Sequence, residues 1–151
     1  MKMDRDVLRL LGERLLPMGF ERSAPTRFLL RSQPVSFEVH LHKFSFGNTF
    51  RVHSRICLPG ESNEDRHVLN GPSSFDGWGR QRWWWITVRS FCFDFGESAA
   101  SRAKSADQMH QYIRRVLLPW FWKWNDVQKL AAHKNSPLGA SQKAFLRRLP
   151  S

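Results

Sequence analysis

Two alternating arms separated by a short break constrain the fold more than any other stretch of the chain. Residues 35–42 place Val35, Phe37, Val39 and Leu41 on one parity and Ser36, Glu38, His40 and His42 on the other. Residues 50–58 repeat the pattern, with Phe50, Val52, Ile56 and Leu58 opposed to Arg51, His53, Arg55 and Cys57. Period-two alternation is the mark of a strand with one face on a core and one on solvent. The break at Phe46-Gly47-Asn48-Thr49 predicts an antiparallel hairpin. A Gly47-Asn48 turn pairs His42 with His53 and His40 with Arg55, and sets Phe37, Val39 and Leu41 against Leu58, Ile56 and Ser54. A slip by an even number of residues also keeps the apolar rows together, whereas an odd slip sends one to solvent.

Around this hairpin, the opening stretch Met3 to Met18 predicts an amphipathic helix. Met3, Val7, Leu8, Leu11, Leu15 and Met18 recur at steps of three and four, with Arg5, Arg9 and Glu13 opposite and Pro17 and Gly19 at the end. Phe20 is expected to return to the core, and Arg27 to Arg31, between Pro25 and Pro34, predicts a strand before the hairpin. Residues 59–82, rich in Gly, Pro, Ser and Asn, read as a long loop. The aromatic runs Trp83 to Val88 and Phe91 to Phe95 read as strand, apolar on both parities. Ser105 and Gln108 have capping-box spacing ahead of a helix to Leu118 that Pro119 stops or kinks, and Asn125 is the expected cap of a last segment, Asp126 to His133. The expected architecture is one α+β domain over residues 1–134: an antiparallel sheet of about four to five strands with N-terminal and C-terminal helices packed mainly on one face. Apolar periodicity fades after His133, so residues 135–151 read as a basic C-terminal tail with a short helix around Lys143 to Leu149.

A chain of 151 residues is long enough to bury a core without staples. Cys57 and Cys92 both fall in strand patterns without metal-ligand spacing, so they read as buried free thiols in a reducing compartment. No signal peptide or membrane-length apolar run is visible, and a cytoplasmic location is expected. The charge is strongly basic: 24 Lys+Arg against 13 Asp+Glu give a net +11, and residues 101–151 alone carry ten basic and two acidic side chains, or +8. Such a balance favours acidic proteins or polyanions as partners.

Three chemistries can be drawn from the residues. His40, His42 and His53 share a sheet face and are candidate zinc ligands, although Arg51, Arg55 and Lys43 beside them oppose a dication. Cys57 shares the nominal face of His53 but lacks a helix N-terminus or orienting group to activate it. Arg51, Arg55, Trp78, Arg80, Arg82 and Trp122 are the candidate partner-binding residues, basic and aromatic in mixture. No catalytic residue and no cofactor is implied.

Several short motifs in fixed order also carry a resemblance: residues 15–22 (Leu-Leu-Pro-Met-Gly-Phe-Glu-Arg) after an opening helix, the strand with Phe28, residues 40–44 (His-Leu-His-Lys-Phe), Phe50, Cys57, the paired tryptophans, and residues 118–121 (Leu-Pro-Trp-Phe). Over about residues 5–132 the chain resembles the bacterial domain-of-unknown-function family numbered 4304. That family usually shows Asn-Leu-Gln-Lys where this chain has His40-Leu41-His42-Lys43. The resemblance implies a fold and no assigned chemistry, and by analogy with small bacterial families of this kind an immunity-type protein that neutralises a secreted toxin. The expected function is therefore a non-enzymatic protein-binding module with an acidic partner. The alternatives are a nucleic-acid binder using the C-terminal basic region and exposed aromatics, with non-specific binding expected, and an enzyme with a site under the 59–82 loop.

Overall fold

The computed structural model describes residues 2–43, 48–61, 69–74 and 93–149. Among these, five strands form one antiparallel sheet in sequence order: β1 (Phe20–Ala24), β2 (Arg27–Leu30), β3 (Ser36–Lys43), β4 (Thr49–Cys57) and β5 (Phe93–Asp94). The alternation of the central arms is realised as read: Phe37, Val39, Leu41, Phe50, Val52 and Ile56 are buried on one face. The register is slipped by two residues from the one expected. Phe37 opposes Ile56, Val39 opposes Ser54, Leu41 opposes Val52, His40 opposes His53 and His42 opposes Arg51. The step is even, so the apolar rows stay on one face. The carbonyl of Asn48, just ahead of β4, accepts from Phe95 N–H at 2.8 Å, just past β5. Gly47 of the expected turn lies outside the described residues, as does the expected strand from Trp83 up to Cys92.

Helices cover the apolar face. Helix α1 (Lys2–Leu15) buries Val7, Leu8, Leu11 and Leu15 and leaves Arg5, Arg9 and Glu13 exposed; the side chain of Met3 lies outside the described set. A 3₁₀ turn, Leu16–Met18, ends on Gly19 in the left-handed region at φ 96°. Helix α2 (Ala99–Tyr112) begins earlier than the Ser105–Gln108 spacing suggests. Its cap is Ser98, whose Oγ accepts from Ser101 N–H at 3.0 Å, and Ser105 is fully buried mid-helix. Pro119 does not stop the helix. A π-helical stretch, Ile113–Leu117, precedes α3 (Leu118–Trp124), and Leu118 N–H reaches back five residues to Ile113 O. The widened turn makes room for a residue that brings no N–H of its own. Phe121 then stacks on Phe37 at 4.9 Å between ring centroids, and Tyr112 meets Phe93 at 6.0 Å.

Helix α4 (Val127–Ala132) is capped by Asp126, which accepts from Lys129 N–H at 3.1 Å, and not by Asn125. Asn125 ties the helical layer to the loop before β3, donating to Gln33 O at 3.1 Å and Ser32 Oγ at 3.2 Å. Helix α5 (Ala140–Arg148) lies within the stretch read as a tail. Leu138 and Leu146 are buried with the common core, and Arg147 donates to Ala131 O at 2.8 Å.

The outer edge of β4 is completed by a strap, residues 70–74. Ile56 N–H donates to Asn70 Oδ1 at 2.8 Å while Asn70 Nδ2 donates to Ile56 O at 3.3 Å. Gly71 N–H donates to Ser54 O at 3.0 Å, Val52 N–H donates to Ser74 Oγ at 3.0 Å, and Ser54 Oγ donates to Pro72 O at 2.6 Å. A carboxamide and a hydroxyl here perform the pairing that a neighbouring strand supplies elsewhere in a sheet.

Candidate ligand-binding face of the sheet

The parity that sends apolar rows under the helices sends a charged set to the opposite face: Arg27 and Arg31 from β2 and its exit, Glu38, His40 and His42 from β3, and Arg51, His53, Arg55 and Cys57 from β4. Pairing divides this set along the strands. At one end Glu38 stands opposite Arg55; at the other, His40 opposes His53 and His42 opposes Arg51.

The first end is built around a buried cation. Arg55 is 3% exposed, with Nε 3.3 Å from Glu38 Oε1 and Nη2 bonded to Glu61 Oε1. The second oxygen of Glu61 accepts from Leu58 N–H at 3.3 Å, which anchors the 58–61 turn to the guanidinium. Burial opposes the charge of Arg55, but its neighbours, the two carboxylates among them, hold the guanidinium above its ordinary value. Arg27 shares Glu38 only from 4.0 Å and donates no hydrogen bond among the described residues. Arg31 is 74% exposed and bonds Glu21 through Nε at 2.7 Å. Above this floor opens a cavity of about 440 Å³, walled by the end of β1 at Ser23 and Ala24, the 31–34 loop and the 58–61 turn. Cys57 lines it as a free thiol, and burial pushes that thiol up to about 12, with Arg55 offsetting part of the effect.

No family model, curated protein or solved structure matches the chain.

At the second end the imidazoles do come together. The ring of His53 lies 6.4 Å from that of His40 and 6.3 Å from that of His42. Burial first, then the charge of Arg27 and of the neighbouring rings, pushes the His40 imidazole down to about 4, so it is neutral at neutral pH. Among the described residues no group of three or more His, Cys, Asp or Glu side chains is placed to hold a metal ion.

The residues expected at a partner surface separate in space. Arg51 is half-buried on the sheet face, and Arg55, four residues along the same strand, is enclosed by its carboxylates, forming the floor of the cavity and not its rim. Trp122 is 54% exposed on α3, in the layer on the other side of the sheet. Trp78, Arg80 and Arg82 lie outside the described residues, as does Cys92. Arg27, Arg31, Glu38 and Glu61 are the site residues that sequence reasoning passed over. The signal for Glu38 is its register: two residues of slip move its partner from Cys57 to Arg55.

Proposed function

We propose that the protein is a non-enzymatic binding module that takes an acidic protein partner on the polar face of its sheet. The observation that carries this reading is one sheet face on which Arg27 and Arg31 line a cavity with an ion-paired floor, with Arg51 farther along β4 on the same face. A net charge of +11 adds steering toward acidic surfaces. The groups in the cavity are held for structure: Glu38 and Glu61 are engaged by Arg55, and the Cys57 thiol stays protonated, far from a nucleophile's range. The finer reading, neutralisation of a secreted toxin, draws on the resemblance to the bacterial family named above and on its analogy with immunity proteins.

A second reading, nucleic-acid binding, is favoured by exposed Trp122 on a helical layer that also carries the exposed cations Arg114, Arg115 and Lys123. Salt separates the two. Protein retained from the native host at defined stoichiometry and physiological ionic strength, and lost on Arg27→Glu with Arg51→Glu, is the expected result. Oligonucleotide affinity is expected to fall linearly in log–log with salt, to roughly 10⁻⁴–10⁻⁶ M at physiological strength. Sub-micromolar oligonucleotide binding under those conditions, abolished by Trp122→Ala and with no retained protein, would replace the first reading by the second.

A further inference from the structure

We infer that the cavity over Arg55 receives an extended acidic peptide segment, with carboxylates of that segment taken by Arg27 and Arg31. The inference rests on the partner-binding reading and names the chemistry of the contact. Both arginines stand at the rim on the same parity of one strand and its exit, separated by Leu29. Four residues of strand place their Cα atoms roughly 13 Å apart, and an extended peptide repeats side chains on one face with the same period. The spacing thus matches two acidic side chains of one strand-like segment better than a single small acid.

The two guanidiniums have donors to give. Arg27 makes no hydrogen bond among the described residues and meets its carboxylate only at 4.0 Å. The Nε of Arg31 is bonded to Glu21, its Nη groups make no such bond, and an exposed pair of this kind holds its partner weakly. Planar, bidentate capture of carboxylate is the chemistry for which arginine is suited. Between them Leu29 offers apolar surface for the methylene groups of glutamate. The floor is already neutralised: Arg55 is enclosed by Glu38 and Glu61, so it fixes the shape of the cavity and leaves ligand charge to the rim. A volume of about 440 Å³ lies within the range of sites that enclose small ligands or a few residues of peptide.

The test is calorimetric titration of the full chain with acetylated, amidated hexaglutamate at physiological ionic strength. Hexaglutamine and free succinate are titrated alongside. Three proteins are compared: wild type, Arg27→Gln with Arg31→Gln, and Arg114→Gln with Arg115→Gln, which removes equal charge from the helical layer. Hexaglutamate is expected to bind wild type and the helical double variant alike, and to bind the rim double variant about tenfold or more weakly. All three should melt alike, because the altered side chains are at least a third exposed or weakly paired. Equal binding by the rim variant, equal loss in both double variants, or no binding at all would overturn the inference. Succinate binding as tightly as hexaglutamate would also overturn it, assigning the cavity to a small organic acid. Retention of the host partner is measured on the same proteins: a partner held undiminished by the rim variant would leave the broader reading standing and remove only the cavity from it.

Discussion

Gly71 has no side chain because there is no room for one. A Cβ at this position would sit 2.4 Å from Ser54 Oγ and 3.0 Å from both Ser54 O and the Trp120 ring. Two of those neighbours are fixed by the strap and the strand, so relief requires the strap to lift from β4. Gly71→Ala is expected to destabilise by about 1–3 kcal/mol, the range for overpacking, read as a fall in denaturation midpoint with unchanged slope. A variant as stable as wild type would show that the strap yields freely. His40 makes a prediction of a different kind. Its folded value, about 4, lies below the ordinary 6.5, so the unfolded chain binds the proton first. The stability associated with the neutral ring is complete above about 6.5 and is lost as pH falls toward 4. Replacement by Asn should flatten the melting-temperature profile across that window, and an unchanged slope would place the titrating group elsewhere.

At the scale of elements, α5 holds the clearest consequence. Leu138 and Leu146 are 5% and 3% exposed within the core, and the Phe145 ring stands over Gly60. Burying two leucines stabilises by about 3–6 kcal/mol in sum, against about 5–15 kcal/mol for a whole domain. Ending the chain after residue 134 should therefore lower the melting temperature by many degrees, and a truncated form that melts like the full chain would show α5 to be an ornament. Sequence periodicity did not expose this role, because one buried leucine in a nine-residue helix and another just before it leave too few repeats to register. Longer signals were legible. The alternation of β3 and β4 and the stripe of α1 read correctly because each repeats four or five times under one burial constraint. The faults lie where a single residue decides: Ser98 over Ser105, Asp126 over Asn125, and a hairpin register that parity restricts only to even steps. The site suffered from that last ambiguity, since the Glu38–Arg55 pair exists in one even register and not in the other.

For the whole molecule, the separation of charge matters more than its sum. The excess is concentrated in residues 101–151, which carry +8 of the net +11, while the acidic groups Glu38 and Glu61 are drawn inside the cavity. Exposed cations of one sign repel in the compact state, and salt screens them over a distance of about 8 Å at physiological strength. Sodium chloride added from low ionic strength should raise the melting temperature and then level off; a fall would mean that exposed ion pairs outweigh the repulsion. No helix among the described residues is long and apolar enough to cross a membrane.

The strap also sets how the protein ages. Asn70 precedes Gly71, the pairing in which a backbone nitrogen most readily attacks the preceding carboxamide to form a succinimide and then aspartate or isoaspartate. In the closed strap both reacting groups are engaged: Gly71 N–H is given to Ser54 O, and the Asn70 amide is held from both ends by Ile56. Opening releases the nucleophile and the electrophile together. The product keeps an acceptor for Ile56 N–H but has no donor for Ile56 O, so a chain that has deamidated cannot close the edge as before. Intact mass should remain constant in native buffer at mildly alkaline pH and rise by about one dalton per chain in urea, at a rate that reports how often the edge of β4 stands open.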